Sequence, residues 1–168
     1  TLTNSRGQDL VREVAKHHKN LLNKGGYHLS NIQGIPYFYR QFGYEYALPL
    51  EGGWRLDLHL ISDDMPNGFS FRLATKQDIP TLMRLYETAM GNLDIYAVRD
   101  EAIWNYLLGA STQTGYAGDT WCVLDTDNTI IGYWRVEHYG FGDGLNINEC
   151  SNLSHQAGLA SLAQFKKL

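Results

Sequence analysis

The sequence has few cysteines, few prolines and no long apolar run. Its 168 residues include 2 cysteines and 4 prolines. Cys122 and Cys150 lack the Cys-x-x-Cys spacing of a zinc knuckle or a redox dithiol, so we expect no metal site and two buried, reduced thiols. No run reaches the roughly 20 residues that span a bilayer, and the chain does not open with a charged and then apolar leader. These absences favour a cytoplasmic protein that is not associated with a membrane.

The chain also lacks an excess of positive charge. Its formal net charge is −4 at pH 7, and nucleic-acid binders need clustered Lys and Arg for phosphate contacts, so we expect no nucleic-acid partner. The basic cluster Lys16–Lys19 fits a solvated helix face. The apolar share is 43% and the aromatic share 12%, enough for one domain of ordinary size or two small ones.

The segment 33–60 predicts a short helix, a glycine stop and a two-stranded hairpin. Pro36 suits a first helical turn, and Gly43 suits the left-handed position that ends a helix. Apolar and polar residues alternate over Trp54–Ile61, which indicates a strand. The glycines in residues 51–53 favour the hairpin turn before it.

The N-terminal segment predicts a helix followed by a strand. Apolar residues recur at helical spacing from Leu10 to Leu22, with His18 on the same side, and Gly25-Gly26 ends the pattern. Tyr27–Ile32 is a short strand candidate. A polar stretch with small residues, Arg6–Arg12, comes at the start of the helix.

The second half begins after a turn-rich linker at Ser62–Gly68. Thr75 or Asp78 is expected to cap its first helix. The predicted elements are a strand at Phe69–Leu73, a helix that opens within Ala74–Pro80 and carries an apolar face from Ile79 to Met90, a second helix at Val98–Leu108, strands at Thr120–Leu124, Ile130–Tyr139 and Leu145–Cys150, and a helix from about Ser154 to Lys167. A turn at Asp125–Thr129 joins the second and third of these strands.

Three of these stretches resemble motifs of the GNAT acyl-CoA N-acyltransferase superfamily. Tyr39–Tyr44 is similar to the late Tyr-x-x-x-Gly-aromatic signature. Arg72–Pro80 resembles the first strand and helix, Arg-x-Ala-Thr-x-x-Asp-Ile-Pro. Arg6–Arg12 resembles the turn that binds the pyrophosphate of coenzyme A, but Asp9 and Val11 stand where Gly or Ala is usual.

The resemblance implies an α+β (α/β) fold, a GNAT-like mixed and mostly antiparallel sheet flanked by helices. Residues 1–61 resemble the back half of one unit and residues 69–168 the front half of a second, with residues 62–68 as linker. A piece cut across the two repeats of a tandem GNAT protein would have this order. The two halves could pack as one circularly permuted domain, or exchange between two chains in a homodimer.

The resemblance also implies an acetyl-CoA-dependent N-acetyltransferase, or a fragment of one, that transfers acetyl directly to an amine. The expected cofactor-binding residues are Arg6, Gly7, Gln8, Asp9, Leu10, Val11 and Arg12. Helix-start amides and the helix dipole would hold the pyrophosphate, although the Asp9 carboxylate would repel it. Tyr39 would protonate the departing thiolate.

Several points stay open at the level of sequence. The candidates for a general base are Asp57, His59, Glu137 and Glu149. The amine acceptor, small molecule or protein, is not specified, because Thr75–Gly118 carries no readable motif. In His155–Ala160, close packing of small residues on a sheet is the favoured interpretation and a second pyrophosphate turn the alternative.

The rival function is a non-catalytic interaction or structural module with a degenerate coenzyme A site. Its exposed aromatics, such as Tyr37 and Tyr44, would then serve a protein contact. A small-molecule binding domain without transfer chemistry is a third possibility.

Overall fold

The structure, a computed structural model, describes residues 9–32, 37–47, 54–64, 66–139 and 144–168. The chain divides into a first unit, Thr1–Arg55, and a second unit, Leu56–Leu168. Within the described ranges there are four α-helices and a four-stranded antiparallel sheet. The predicted α+β class and antiparallel sheet are therefore confirmed, and the assignment of two GNAT-like halves stays a prediction. None of the described helices is long and apolar enough to cross a membrane.

The first unit contains helix α1, Leu10–Gly25, as the apolar spacing predicts. The helix ends at Gly26, which adopts a left-handed φ of 70°. The Gly26 and Tyr27 amides donate to carbonyls of the last turn, those of Asn23 and Leu22. A glycine is favoured there because other residues pay a steric cost in that conformation. A Cβ at Gly25 would lie 2.6 Å from the Tyr27 ring, so a larger residue there would displace this exposed side chain.

A five-residue 3-10 helix, Phe38–Phe42, follows in the first unit. It ends at Gly43 with a left-handed φ of 89°, which confirms the predicted glycine stop. Pro36 lies outside the described residues. Tyr39 and Phe42 have ring centroids 6.5 Å apart, so the short helix presents a small aromatic cluster.

Two of the predicted strands are wrong. Tyr27–Ile32 forms no strand, and Trp54–Ile61 consists of an irregular stretch followed by a 3-10 turn at Leu58–Leu60. A strand needs a partner for its backbone groups, and here the bonds close locally instead: the Leu60 amide donates to the Asp57 carbonyl at 2.9 Å. The expected hairpin turn, residues 51–53, lies outside the described ranges.

The second unit is built on the antiparallel sheet. Its strands lie side by side in chain order: β1 Ser70–Leu73, β2 Gly118–Leu124, β3 Ile130–Glu137 and β4 Asn146–Cys150. All four lie within or within two residues of the predicted strands. The predicted turn between β2 and β3 is closed by the Asp125 carboxylate, which accepts from the amides of Asp127 and Thr129, each at 2.9 Å.

Strand β4 carries a bulge. Arg135 pairs with Glu149, but the next residue of β3, Val136, pairs with Ile147, so Asn148 is an extra residue on β4. A bulge bends its strand and redirects side chains. Here it places Asn148 beside a residue of β3, Glu137.

Helix α2, Ile79–Met90, begins with a short 3-10 turn and a capping box between Thr75 and Asp78. Both residues predicted as caps therefore take part. Arg72 of β1 donates two hydrogen bonds to Asp78, at 2.7 and 2.8 Å, which ties the strand to the helix start.

The other two helices are also capped. Helix α3, Glu101–Leu107, starts later than predicted because Asp100 accepts from the Ile103 amide at 2.8 Å. Helix α4, His155–Phe165, is capped by Ser154.

The core of the second unit lies on both faces of the sheet. The cluster beneath α2 and α3 comprises Ile79, Leu82, Tyr86, Trp104, Cys122, Leu124 and Tyr133. The cluster beneath α4 comprises Val123, Trp134, Val136 and Ala157. Trp134 stacks on Trp121 at 5.3 Å and meets Phe165 edge-on at 4.5 Å. Every residue described as buried belongs to this unit.

Candidate functional site

The first unit contains a cleft of about 550 Å³. Helix α1 forms one wall, and the segment after it and the Phe38–Phe42 helix form the other. Tyr39, the predicted catalytic residue, lines this cleft together with Val11 from the predicted cofactor turn. Tyr39 is half-buried.

The chemistry of the cleft is apolar with a basic edge. Apolar lining comes from α1 and from the opposite wall: Val11, Val14, Ala15, Leu22, Leu29, Ile32 and Phe42. Polar lining includes Lys19, His18 and His28. The described lining residues include no Asp or Glu.

A short hydrogen-bonded chain of polar side chains crosses the cleft. The Tyr44 hydroxyl lies 3.1 Å from Ser30 Oγ and 3.5 Å from His18 Nδ1. The Tyr39 ring meets the Tyr44 ring edge-on at 6.3 Å. Sequence reasoning missed this group. His18 was placed on the apolar stripe of the helix, and the prediction of an exposed Tyr44 is wrong, because its ring is partly buried and its hydroxyl is bonded.

Two amides at the start of α1 have no partner within the described ranges, which is what an anion site requires. The Asp9 carbonyl accepts from the Arg12 and Glu13 amides, at 2.9 and 3.1 Å. The amides of Leu10 and Val11 have no hydrogen-bond partner among the described residues. Arg6, Gly7 and Gln8 lie outside the described ranges.

Asp9 occupies the N-cap position without capping through its side chain. Its backbone is left-handed, with φ 54°, and its carboxylate lies 3.8 Å from the Arg12 guanidinium. Both side chains are largely exposed. The nearby guanidinium reduces the repulsion that the Asp9 carboxylate would exert on a phosphate.

Arg12 joins the helix start to the helix that carries Tyr39. Its guanidinium lies 3.5 Å from Gln41 Oε1 and 6.0 Å from the centre of the Phe42 ring. Two stretches that were singled out separately in the sequence are thus in contact. Val11 and Arg12 are on one side of this contact, and the Tyr39 helix is on the other.

In the second unit, one candidate base is already engaged. Arg99 donates to both oxygens of Glu149, at 2.8 and 2.5 Å, and the Tyr133 hydroxyl donates to Glu149 Oε1 at 2.6 Å. The guanidinium lies 4.2 Å from the Tyr86 ring centre and 5.3 Å from that of Trp104. Burial, and then the Glu149 charge, raises the pKa of Tyr133 far above its usual range. Glu149 is therefore held in a largely buried ion pair, in which the side chains of Arg99 and Glu149 are 18% and 10% exposed.

Glu137 is also held, by amides. Its carboxylate accepts from Asn146 at 2.8 Å and from Asn148, the bulge residue, at 2.6 Å. Asp57 precedes the Leu58–Leu60 turn and His59 lies within it. The choice of a general base among the four predicted candidates stays open.

The start of α4 favours packing over phosphate binding. Ser154 Oγ accepts from the Ala157 amide at 3.2 Å, and the Gly158 amide donates to the Ser154 carbonyl at 2.8 Å. Ala157 and Ala160 are fully buried. The small residues of this stretch therefore pack the helix closely in the core, as the favoured interpretation predicts.

The two cysteines differ in exposure. Cys122 is buried, and burial raises the pKa of its thiol to about 11. Cys150, at the end of β4, is exposed as a residue, although its thiol donates to the Ser151 carbonyl at 3.2 Å and burial raises its pKa. Both are free, and the described part of the chain holds no group of three or more potential metal-binding side chains.

Comparison with known proteins adds no family assignment. Neither the protein-family models nor the curated proteins include a match to this chain.

Proposed function

We propose that this chain is an acyl-CoA-dependent N-acyltransferase of GNAT type, or a fragment of one. The observation that carries the proposal is the contact between the start of α1 and the Tyr39 helix. These are the two stretches that the resemblance assigns to coenzyme A and to the departing thiolate. They contact each other through Arg12, Gln41 and Phe42.

The cofactor would bind first through charge and backbone amides. The open amides of Leu10 and Val11 suit a pyrophosphate, since a helix start combines unpaired N–H groups with the positive end of the helix dipole. Arg12 adds a guanidinium, which matches phosphate oxygens well. Asp9 opposes binding.

Tyr39 would then act on the thioester end. A phenol hydroxyl can give a proton to a leaving thiolate while carrying no charge before the reaction. Its position in the cleft, beside the Tyr44 ring, keeps it partly shielded from water. The amine acceptor would attack the thioester directly, and proximity in the cleft would supply much of the rate.

The second unit supports the proposal through its order of elements. Strand, helix, helix, three strands and helix follow one another, as the resemblance implies for the front half of a GNAT unit. The chain would then be the back half of one unit followed by the front half of the next.

Calorimetry with acetyl-CoA at low salt tests the cofactor step. We expect saturable binding that Arg12→Ala weakens several-fold, whereas Arg84→Ala, a matched exposed arginine of α2, leaves it unchanged. Tyr39→Phe should keep the affinity and lower kcat for release of free coenzyme A in the presence of amines by about 100-fold, the usual scale for a lost acid. If no binding is detected at millimolar acetyl-CoA, the proposal that this chain is an acyltransferase is refuted.

A non-catalytic interaction module is the second candidate. The first unit favours it because large apolar side chains are exposed there, with Tyr37 at 74% and Trp54 at 100%. Sedimentation of the wild type and of Tyr37→Ser separates the two. A dimer that this substitution dissociates, in a chain that does not bind acetyl-CoA, would support the module.

A further inference from the structure

The size of the cleft in the first unit exceeds what a two-carbon acyl group needs. Its volume of about 550 Å³ falls in the range that encloses ligands of drug size. Val11, Val14 and Leu22 form an apolar stripe on α1, and Leu29, Ile32 and Phe42 oppose it. An acetyl group would leave most of this apolar wall in contact with water.

The charge of the cleft selects against cations. The whole chain carries a formal charge of −4, yet the described lining residues include Lys19, His18 and His28 and no carboxylate. Lys19 forms no ion pair with a described residue, whereas Lys16, one turn earlier and outside the cleft lining, pairs with Glu13 at 2.7 Å. The cleft therefore offers an ammonium group that has no counter-charge among the described residues.

Hydrogen-bonding groups line the same cleft as this charge. Ser30, Tyr39 and Tyr44 bring three hydroxyls to the same cleft, two of them 3.1 Å apart. Hydroxyls and a nearby ammonium are suitable partners for a carbonyl or carboxylate oxygen. The site thus combines a polar head region with an apolar wall.

From these observations we propose that the cleft binds a medium-chain aliphatic acyl group, with its oxygen atoms at the hydroxyls and its tail along α1. Two sources share this chemistry, a free carboxylate and an acyl thioester of coenzyme A. The carboxylate form depends on the cleft alone. Binding of the thioester rests on the proposed function, and the acyl donor would then be an acyl-CoA with a longer chain than acetyl-CoA.

Matched ligands test the charge and the tail separately. Calorimetry should show saturable binding of octanoate and at least tenfold weaker binding of octylamine, which has the same number of carbons and the opposite charge. Lys19→Glu, an exposed substitution, should reduce or reverse this preference. Equal binding of the two ligands, or a preference that Lys19→Glu leaves unchanged, would overturn the proposal.

Filling the cleft tests its location. Ala15 faces the cleft from the middle of α1, so Ala15→Phe should weaken octanoate binding at least tenfold. Lys24→Phe adds the same ring on α1 outside the lining and should leave binding unchanged, with circular dichroism to check that both variants fold. Undiminished octanoate binding by a folded Ala15→Phe variant would also overturn the proposal.

A comparison of thioesters separates this inference from the proposed function. Octanoyl-CoA should bind at least tenfold more tightly than acetyl-CoA. If octanoate binds and neither thioester does, the cleft assignment stands for the free acid and the acyltransferase fails. If acetyl-CoA binds in an Arg12-dependent way and octanoate does not bind, the acyltransferase stands and the cleft assignment fails.

Discussion

Replacement of Asp9 tests whether the start of α1 is the phosphate site. Asp9 has φ 54°, a conformation that glycine adopts without strain and that asparagine tolerates. Asp9→Gly and Asp9→Asn should therefore both preserve the helix. Each removes the carboxylate of the N-cap residue, which precedes the Leu10 and Val11 amides that lack a partner among the described residues.

The expected gain in affinity is small and can be calculated. Two unit charges about 5 Å apart in water repel by about 0.8 kcal/mol, which corresponds to about fourfold in the dissociation constant. The Arg12 guanidinium, 3.8 Å from Asp9, already offsets part of this repulsion. We therefore expect acetyl-CoA to bind about two- to fourfold more tightly to either variant.

Salt dependence and a control make the assay specific. In calorimetry the gain should shrink at about 0.5 M salt, where the screening length is only a few ångströms. Asp94→Asn, an exposed aspartate of the second unit, removes the same charge and should have no effect. If Asp9→Gly and Asp9→Asn both bind acetyl-CoA as the wild type does at low salt, the start of α1 is not the phosphate site.

Three further predictions concern the second unit. Arg99→Ala should destabilise it by about 3 kcal/mol in urea unfolding, because loss of one partner leaves a buried charge uncompensated. Hydrogen bonds from Arg72 hold the pKa of Asp78 well below its usual range, so its contribution to stability is present above about pH 4 and lost as the pH falls toward that lowered pKa. Asp78→Asn should flatten this acid dependence. A thiol reagent at pH 8 should label Cys150 in the native protein and Cys122 only after unfolding, since the Cys122 thiol is buried.

Each of these has a control and a contrary result. Arg84→Ala, exposed on α2, should change the unfolding midpoint little, and an equal loss from both arginine variants would contradict the ion-pair argument. If the urea midpoint of Asp78→Asn falls between pH 5 and pH 2 as steeply as that of the wild type, the acid sensitivity belongs to other carboxylates. Two thiols labelled at equal rates without denaturant would contradict the burial of Cys122.

Local signals in the sequence predicted the second unit well. Thr75 and Asp78 mark a helix start because capping depends on residues three apart in the chain. The Asp125–Thr129 turn and the strands beside it are equally local, since alternation and turn residues lie within one hairpin. Helix α3 begins three residues after its predicted start, Val98, because Asp100 caps it.

Pairing could not be read from a single segment. Trp54–Ile61 alternates like a strand, but alternation does not indicate whether a partner strand is present, and the backbone bonds closed in a local turn instead. The candidate site shows the same limit. The motif at Tyr39 correctly indicates a residue that lines the cleft. The Ser30–Tyr44 and Arg12–Gln41 contacts join residues 14 and 29 positions apart, and no local pattern encodes such contacts.

The order of strands in the second unit also bears on how quickly it can fold. β2 and β3 are neighbours joined by the Asp125–Thr129 turn, and such hairpins form in about 1–10 μs. β1 pairs with β2 only after residues 74–117, including α2 and α3, close a much longer loop. We therefore expect a nucleus at β2–β3, with substitutions at Asp125 slowing refolding and substitutions in β1 mainly accelerating unfolding. Stopped-flow measurements in urea would give the folding rate and the unfolding rate separately. The edge formed by β1 would be the part of the sheet that opens first.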